Sequence, residues 1–304
     1  MSLPDKISII EVAPRDGWQN FRTFIPTGEK IRLIKKMIDN GARSVEVTSY
    51  VNPKWVPQLA DADEVTGEAL AYAEGRGVTV SALTLNGKGV ARARGLGMKN
   101  VGFVISASEE HNRRNANKTT EAVLADFEAM ASESRDMDIT LGVACAFGSP
   151  FGEEIGAEDI FRICETAAKY GISKVGLADS AGVSTPAHTR DILRAVLPQL
   201  GADNVSVHFH DTRGMGLANA YVAMEEGVRR FETALGAMGG CPYIPGAKGN
   251  IATEDVLWMA AQMGIETEPA FEQTVELSLE MTAAIGAPIT SSQASLASAR
   301  RSGG

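Results

Sequence analysis

Cysteine, histidine and aromatic side chains are scarce in this chain, and its apolar runs are short. Its 304 residues include only 3 Cys and 4 His, and 6% are aromatic. Cys145, Cys164 and Cys241 lie far apart without a CxxC pair. That pattern excludes a disulfide framework and a structural zinc site, and it fits a reducing compartment. No stretch approaches the roughly 18 apolar residues of a membrane span, and "MSLPDKISIIEV" at the start lacks the basic segment and long apolar run of a secretory leader. A cytoplasmic protein is the expectation. Positive charge is also in deficit, with 29 Lys and Arg against 38 Asp and Glu and a formal charge of −9. Phosphate contacts need clustered Lys and Arg, so the balance argues against a general partner of nucleic acid or of anionic membranes.

What is present suffices for a full core: 44% of residues are hydrophobic and 22% charged, with no Pro/Ser-rich linker or break in composition. One domain over residues 1–290 is expected, followed by a small, polar, frayed tail over 291–304, "SSQASLASARRSGG". Val- and Ile-rich segments recur at 7–13, 44–50, 78–85, 100–107, 138–146, 174–180, 204–211 and 229–235, each bounded by turn residues. Between them lie stretches of helical period. In "PTGEKIRLIKKMIDNG" (26–41), Ile31, Ile34, Met37 and Ile38 share a face and Gly41 supplies the stop. In 185–201, Thr185 is the expected cap and Pro186 falls in the first turn. Regular alternation implies a parallel sheet, and eight such units in about 250 residues match an α/β fold of the (β/α)8 TIM-barrel type better than an open doubly wound sheet. Extra helices are expected at the C-terminal end. No GxGxxG follows the first strand and no GxxxxGK[ST] occurs, so dinucleotide and P-loop sites lose support.

Ionisable residues collect where the candidate strands end: Arg15 and Asp16 after the first, Glu46 and Ser49 on the second, Asp179 on the sixth, and His208, His210 and Asp211 on the seventh. A barrel carries its catalytic groups on that face. Strand side chains alternate, so His208 and His210 point one way and Phe209 the other. Such a pair can converge on one divalent ion; two hydrogen-bonded histidines under a loop are the plainer alternative. Asp16 strengthens the metal reading if the first strand adjoins the seventh across the closed barrel, because a carboxylate beside two imidazoles suits Mg²⁺, Mn²⁺ or Zn²⁺. Asp211, pointing opposite to His210, is expected to orient a ligand or cap the next helix. The glycine-dense loop holding Cys241 is far longer than a connection after the eighth strand requires. Cys145 and Cys164 read as core residues.

With these pieces placed, the chain resembles the 3-hydroxy-3-methylglutaryl-CoA lyase family of metal-dependent barrel lyases, related to isopropylmalate and homocitrate synthases. The resemblance rests on "EVAPRDGWQN", "VEVTSYVNPKWVPQLAD", "LADSAGVSTP", "HFHDTRGMGLAN" and "GGCPYIPGAKGNIATED", in the family's order from residue 7 to about 255. It implies cleavage of a 3-hydroxyacyl-CoA to acetyl-CoA and a keto acid. It further implies that Asp16, His208, His210 and Asn250 hold Mg²⁺ or Mn²⁺, that Arg15 stabilises the enolate oxygen, that Glu46 and Asp179 support the metal and proton traffic, and that Cys241 protonates the enolate carbon. Gln19 and Ser49, beside these groups, are expected to touch substrate. Arg113, Arg114 and Lys118 in "EEHNRRNANKT" are expected to meet the phosphates of coenzyme A, unless the arginines merely pair with Glu109 and Glu110. By family likeness the chain is expected to form a dimer.

Trp18, Arg213, Met215, Gly142, Ser149 and Phe151 depart from the family's usual "DGLQN", "HDTYGQALAN" and "GYVSCxxGCPY". They leave the metal set intact and are expected to flank the acyl group, so citramalyl-CoA or a longer 3-hydroxy-3-alkylglutaryl-CoA is an alternative substrate. A condensing acyltransferase of the synthase branch would use the same metal, but it calls for a regulatory domain or long extension beyond "GNIATED". A silent barrel acting as a scaffold has no physical need for this set of residues.

Overall fold

Alternating Val- and Ile-rich strands and amphipathic helices leave each helix one apolar face to bury, and a closed parallel sheet offers that surface all the way round. The computed structural model describes residues 3–240 and 248–302. Its first half runs β1 (Ser8–Glu11), α1 (Thr27–Asp39), β2 (Ser44–Ser49), α2 (Ala62–Ala73), β3 (Thr79–Thr84), α3 (Gly87–Gly95), β4 (Asn100–Ser106), α4 (Glu109–Ala116) and α5 (Thr120–Ser132). The second half runs β5 (Asp138–Ala144), α6 (Ala157–Ala168), β6 (Lys174–Asp179), α7 (Pro186–Leu200), β7 (Val205–Phe209), α8 (Gly216–Glu225), β8 (Arg230–Thr233), α9 (Thr253–Gln262), α10 (Phe271–Ile285) and α11 (Ser292–Ser302). Among the described residues the eight strands pair in sequence order and close, β8 on β1. No described helix is long and apolar enough to cross a membrane.

The local signals act where the sequence placed them. Leu33, Ile34, Met37 and Ile38 of α1 are buried, and the Thr185 hydroxyl accepts the His188 N–H, 3.3 Å away, at the start of α7. Packing of sheet on helix is seen in Phe103 of β4 and Phe127 of α5, whose rings meet edge-on at 5.3 Å. Inside the barrel, Gly102, Gly142 and Gly176 on β4, β5 and β6 make room: a Cβ at each would lie 3.5 Å from Glu46 Oε1, 2.9 Å from Val104 Cγ2 and 3.0 Å from Glu232 Oε1 respectively. Gly102 and Gly176 thus let carboxylates from β2 and β8 enter the interior, while Gly142 accommodates Val104 of the neighbouring strand.

Two expectations are corrected. Strand one does not adjoin strand seven; β8 lies between them. Residues 292–302 form helix α11 rather than a frayed tail, because the Asp255 carboxylate of α9 accepts the N–H groups of Ser292 at 3.0 Å and Gln293 at 2.8 Å. Small polar composition concealed a helix that is capped both locally, where the Ser291 hydroxyl accepts the Ala294 N–H at 3.3 Å, and by Asp255 far earlier in the sequence. Replacing Asp255 with Ala removes partners of two otherwise orphaned donors and is expected to cost about 1 kcal/mol, measured as a lower urea midpoint at unchanged slope.

Candidate active site

Beyond β1 the chain winds into one wide turn, Ala13–Gly17, in which the Val12 carbonyl accepts N–H groups from Arg15 at 3.1 Å and Asp16 at 2.8 Å. This turn carries both side chains over the mouth of the barrel. Arg15 donates from Nε to Glu46 Oε2 and from Nη1 to Asp16 Oδ1, both at 2.5 Å. All three side chains are close to fully buried. Burial opposes charge on Arg15, but Glu46 and Asp16 outweigh it and hold the guanidinium firmly protonated. Asp16 likewise overcomes burial: Arg15, His208, His210 and the Asn250 amide hold its carboxyl at about 2. On Glu46 burial prevails over Arg15 and raises the carboxyl above its ordinary value.

His208 and His210 close β7 on one side, as alternation requires, with Nε2 atoms 3.0 Å apart. They lie 4.0 and 3.9 Å from Asp16 Oδ2. Asp16 reaches them not through strand adjacency but through the turn that lifts it over the mouth. The three residues are buried and each offers a ligand atom, all within 4.8 Å of one another, a set able to hold a metal ion. Asn250 arrives by backbone pairing. It bridges to His210 in antiparallel fashion, while Ile251 N–H donates to the Phe209 carbonyl at 3.0 Å. Its Nδ2 donates to Asp16 Oδ2 at 2.8 Å and to the Met238 carbonyl at 3.0 Å, and its Oδ1 is buried without a partner. This return is tight: a Cβ on Gly249 would lie 2.3 Å from the Ala237 carbonyl oxygen.

Gln19 donates to Asp16 Oδ1 at 2.8 Å, and Ser49 is buried at the end of β2. Asp179 is fully buried, and its two oxygens accept the N–H groups of Val183 and Ser184, both at 3.0 Å. It therefore braces the loop after β6. Asp211 caps α8, accepting the Gly216 N–H at 2.8 Å. The segment expected as a coenzyme loop contains α4, in which Arg113 pairs with Glu109 at 3.0 Å, Arg114 with Glu110 at 2.7 Å, and beyond which Lys118 pairs with Asp126. Those pairs are the alternative weighed for the arginines. Cys241 lies outside the described residues. Cys145 and Cys164 are buried as expected, and burial pushes the Cys164 thiol up to about 12.

The departures fall unevenly. Trp18 does not flank an open pocket: it is 0% exposed within the core, because the turn that exposes Arg15 and Asp16 to the mouth points the next side chain into the protein. Ser149 donates to Glu153 at 2.6 Å, Phe151 lies under the Arg114 guanidinium at 4.5 Å, and Arg213 donates to the carbonyls of Ala181 and Gly182 at 3.3 and 3.0 Å. Met215 is exposed.

Two carboxylates were missed in the sequence. Glu232 on β8 sits 3.0 Å from His208 Nδ1 and accepts the Ser206 hydroxyl at 2.9 Å. Glu11 on β1 accepts the N–H groups of Ala13 and Leu235 and the Thr253 hydroxyl, so tying β1 to the root of the Cys241 loop; burial raises its carboxyl to about 7. For Glu11 the available signal was a glutamate at the end of a strand, directly after two consecutive isoleucines; β8, with Arg230 and Thr233 beside Glu232, offers no such contrast.

A closed parallel barrel with a carboxylate, two imidazoles and a clamped guanidinium at its strand ends defines a (β/α)8 enzyme of the metal-site type. The family model described as HMGL-like matches residues 6–280, and the chain belongs to that family. It is 36% identical over 293 residues to the hydroxymethylglutaryl-CoA lyase YngG of Bacillus subtilis, spanning 96% of this chain and 97% of that one. The solved hydroxymethylglutaryl-CoA lyase of Pseudomonas aeruginosa superposes with a TM-score of 0.93 at 33% identity, covering 99% and 100% of the two chains. An HMG-CoA lyase from Acinetobacter baumannii, solved with coenzyme A and 3-methylmalate, gives 0.91 at 35% identity, covering 97% and 96%.

The histidines differ in the charge they carry. Burial opposes protonation of His208, but Glu232 and Asp16 outweigh it and raise its pKa; burial and then His208 itself press His210 down to about 4. A cation entering the site therefore competes with a proton more at His208 than at His210. Mn²⁺ affinity is expected to weaken steadily as pH falls from 8 to 5, with about one proton released per ion bound near pH 6, measured by calorimetry in buffers of differing ionisation heat.

Proposed function

We propose that the protein is a carbon–carbon lyase that splits 3-hydroxy-3-methylglutaryl-CoA, or a close 3-hydroxyacyl-CoA relative, into acetyl-CoA and a keto acid, assisted by Mg²⁺ or Mn²⁺. The observation that carries this reading is Arg15, fixed between Glu46 and Asp16 beside the buried Asp16–His208–His210 set, in a chain of the HMGL-like family. The donor set fits such an ion. His208 has committed Nδ1 to Glu232, two imidazole Nε2 atoms face one another, and Asn250 Oδ1 is a buried acceptor lacking a partner. Asp16, His208, His210 and Asn250 would hold the ion. When bound, it supplies Lewis acidity toward the substrate's oxygens.

The bond that breaks joins the thioester's α-carbon to the hydroxyl-bearing carbon. Its electron pair passes to the α-carbon side as a thioester enolate, while the hydroxyl passes its proton to the Glu46 carboxylate and becomes the ketone. Arg15, held by two carboxylates and unable to swing away, places a fixed positive charge for the enolate oxygen. Glu46, whose raised pKa suits proton exchange, assists proton movement, and Asp179 keeps the loop after β6 in place. Cys241 delivers the proton to the enolate carbon, and acetyl-CoA results. Gln19 keeps Asp16 oriented, and Ser49 lines the acyl site. For coenzyme A, the ion pairs of Arg113, Arg114 and Lys118 are solvent-exposed and so individually weak, and phosphate can displace their carboxylate partners.

The test is incubation with Mg²⁺ and a panel comprising 3-hydroxy-3-methylglutaryl-CoA, citramalyl-CoA and a longer 3-alkyl homologue, with acetyl-CoA followed. Release from at least one is expected; release from none, with and without a thiol reductant, overturns the lyase reading. Cys241→Ala is expected to abolish turnover while Mn²⁺ affinity stays within about twofold of wild type; full activity removes the acid role.

A further inference from the structure

Glu232 is a carboxylate inside the barrel that the chemistry above leaves without a task. Strand pairing sets it directly opposite His208, β8 against β7. Its Oε2 lies 3.0 Å from His208 Nδ1 and its Oε1 accepts the Ser206 hydroxyl at 2.9 Å, so both oxygens are held from one neighbouring strand. On the other side of Ser206, β6 contributes Gly176, where a Cβ would lie 3.0 Å from Glu232 Oε1 and 3.2 Å from Ser206 Oγ. Three adjacent strands thus build a seat for this one carboxylate, and that seat orients the imidazole across from it.

A neutral imidazole has two tautomers, and only one presents the Nε2 lone pair toward Asp16 and His210. A carboxylate accepts but cannot donate, so its contact with Nδ1 selects the tautomer carrying the proton there. We propose that Glu232 is a positioning residue: by accepting the His208 Nδ1–H it fixes both the tautomer and the ring angle, leaving Nε2 preset as a ligand for a divalent cation. The inference rests on the metal reading above. Glu232 touches neither the ion nor the substrate; it acts through His208.

The measurement is a Mn²⁺ titration of the full chain without substrate, following the free aquo-ion by electron paramagnetic resonance. Glu232→Met keeps the side chain's length but removes both acceptor oxygens, so nothing is left to accept the Nδ1–H, and it is expected to weaken Mn²⁺ binding about 10- to 100-fold with unchanged circular dichroism. An unchanged dissociation constant overturns the proposal, because a merely structural contact affects stability without moving ion affinity in the folded protein. Ser206→Ala, which retains both carboxylate and imidazole, decides the matter if the first variant fails to fold: about threefold or greater weakening supports the proposal, and no change overturns it. A wild-type chain that binds no Mn²⁺ defeats the metal reading itself, an outcome distinct from either variant result.

Discussion

Three carboxylates, Asp16, Glu46 and Glu232, share the buried mouth of the barrel with one guanidinium, Arg15. Burying that much negative charge against a single cation is costly unless further positive charge is supplied. A divalent cation between Asp16 and the two histidines would bring the count to neutrality. Without one, part of the imbalance falls on His208, whose affinity for a proton is raised, and on Glu46, which resists ionisation. The arrangement of the whole catalytic face follows from keeping these groups close, dry and fixed.

Closure of the sheet solves the placement problem. Every strand delivers its C-terminal end to one rim, so groups distant in sequence meet without any long connecting arm. Gly102 on β4 and Gly176 on β6 hollow the interior to admit Glu46 and Glu232. Outside the rim, α9, α10 and the segment between α10 and α11 brace the chain just after β8: Thr290 donates to the Gly236 carbonyl at 2.8 Å, and Glu254 of α9 accepts the Gly236 N–H at 3.1 Å as well as the hydroxyl of Ser278 in α10 at 2.6 Å. The chain is therefore anchored from behind at Gly236, where it leaves β8.

Periodicity made the eight strands, α1 and α7 legible, since alternation and the 3.6-residue repeat are local properties. The facing of His208 and His210 was legible for the same reason. Adjacency was not: the chain order of strands does not say how Asp16 crosses the width of β8, and the wide turn at Ala13–Gly17 that carries it follows no simple residue pattern. Trp18 was misread on the same account, because the direction of a side chain after an irregular turn depends on that turn. Glu232 escaped notice because its meaning lies in the residue opposite, and register across two strands is not written in either one. The tail was misjudged since Asp255, which starts α11, lies 37 residues earlier.

The central claim is that this mouth is completed by a divalent cation held by Asp16, His208, His210 and Asn250. A crystal structure of the protein grown with Mn²⁺, with anomalous scattering recorded near the manganese edge, tests it most directly. The account predicts a single strong peak at about 2.0–2.3 Å from Asp16 Oδ2, both Nε2 atoms and Asn250 Oδ1. A peak elsewhere in the barrel, or none with the two imidazoles still paired to each other, would contradict it.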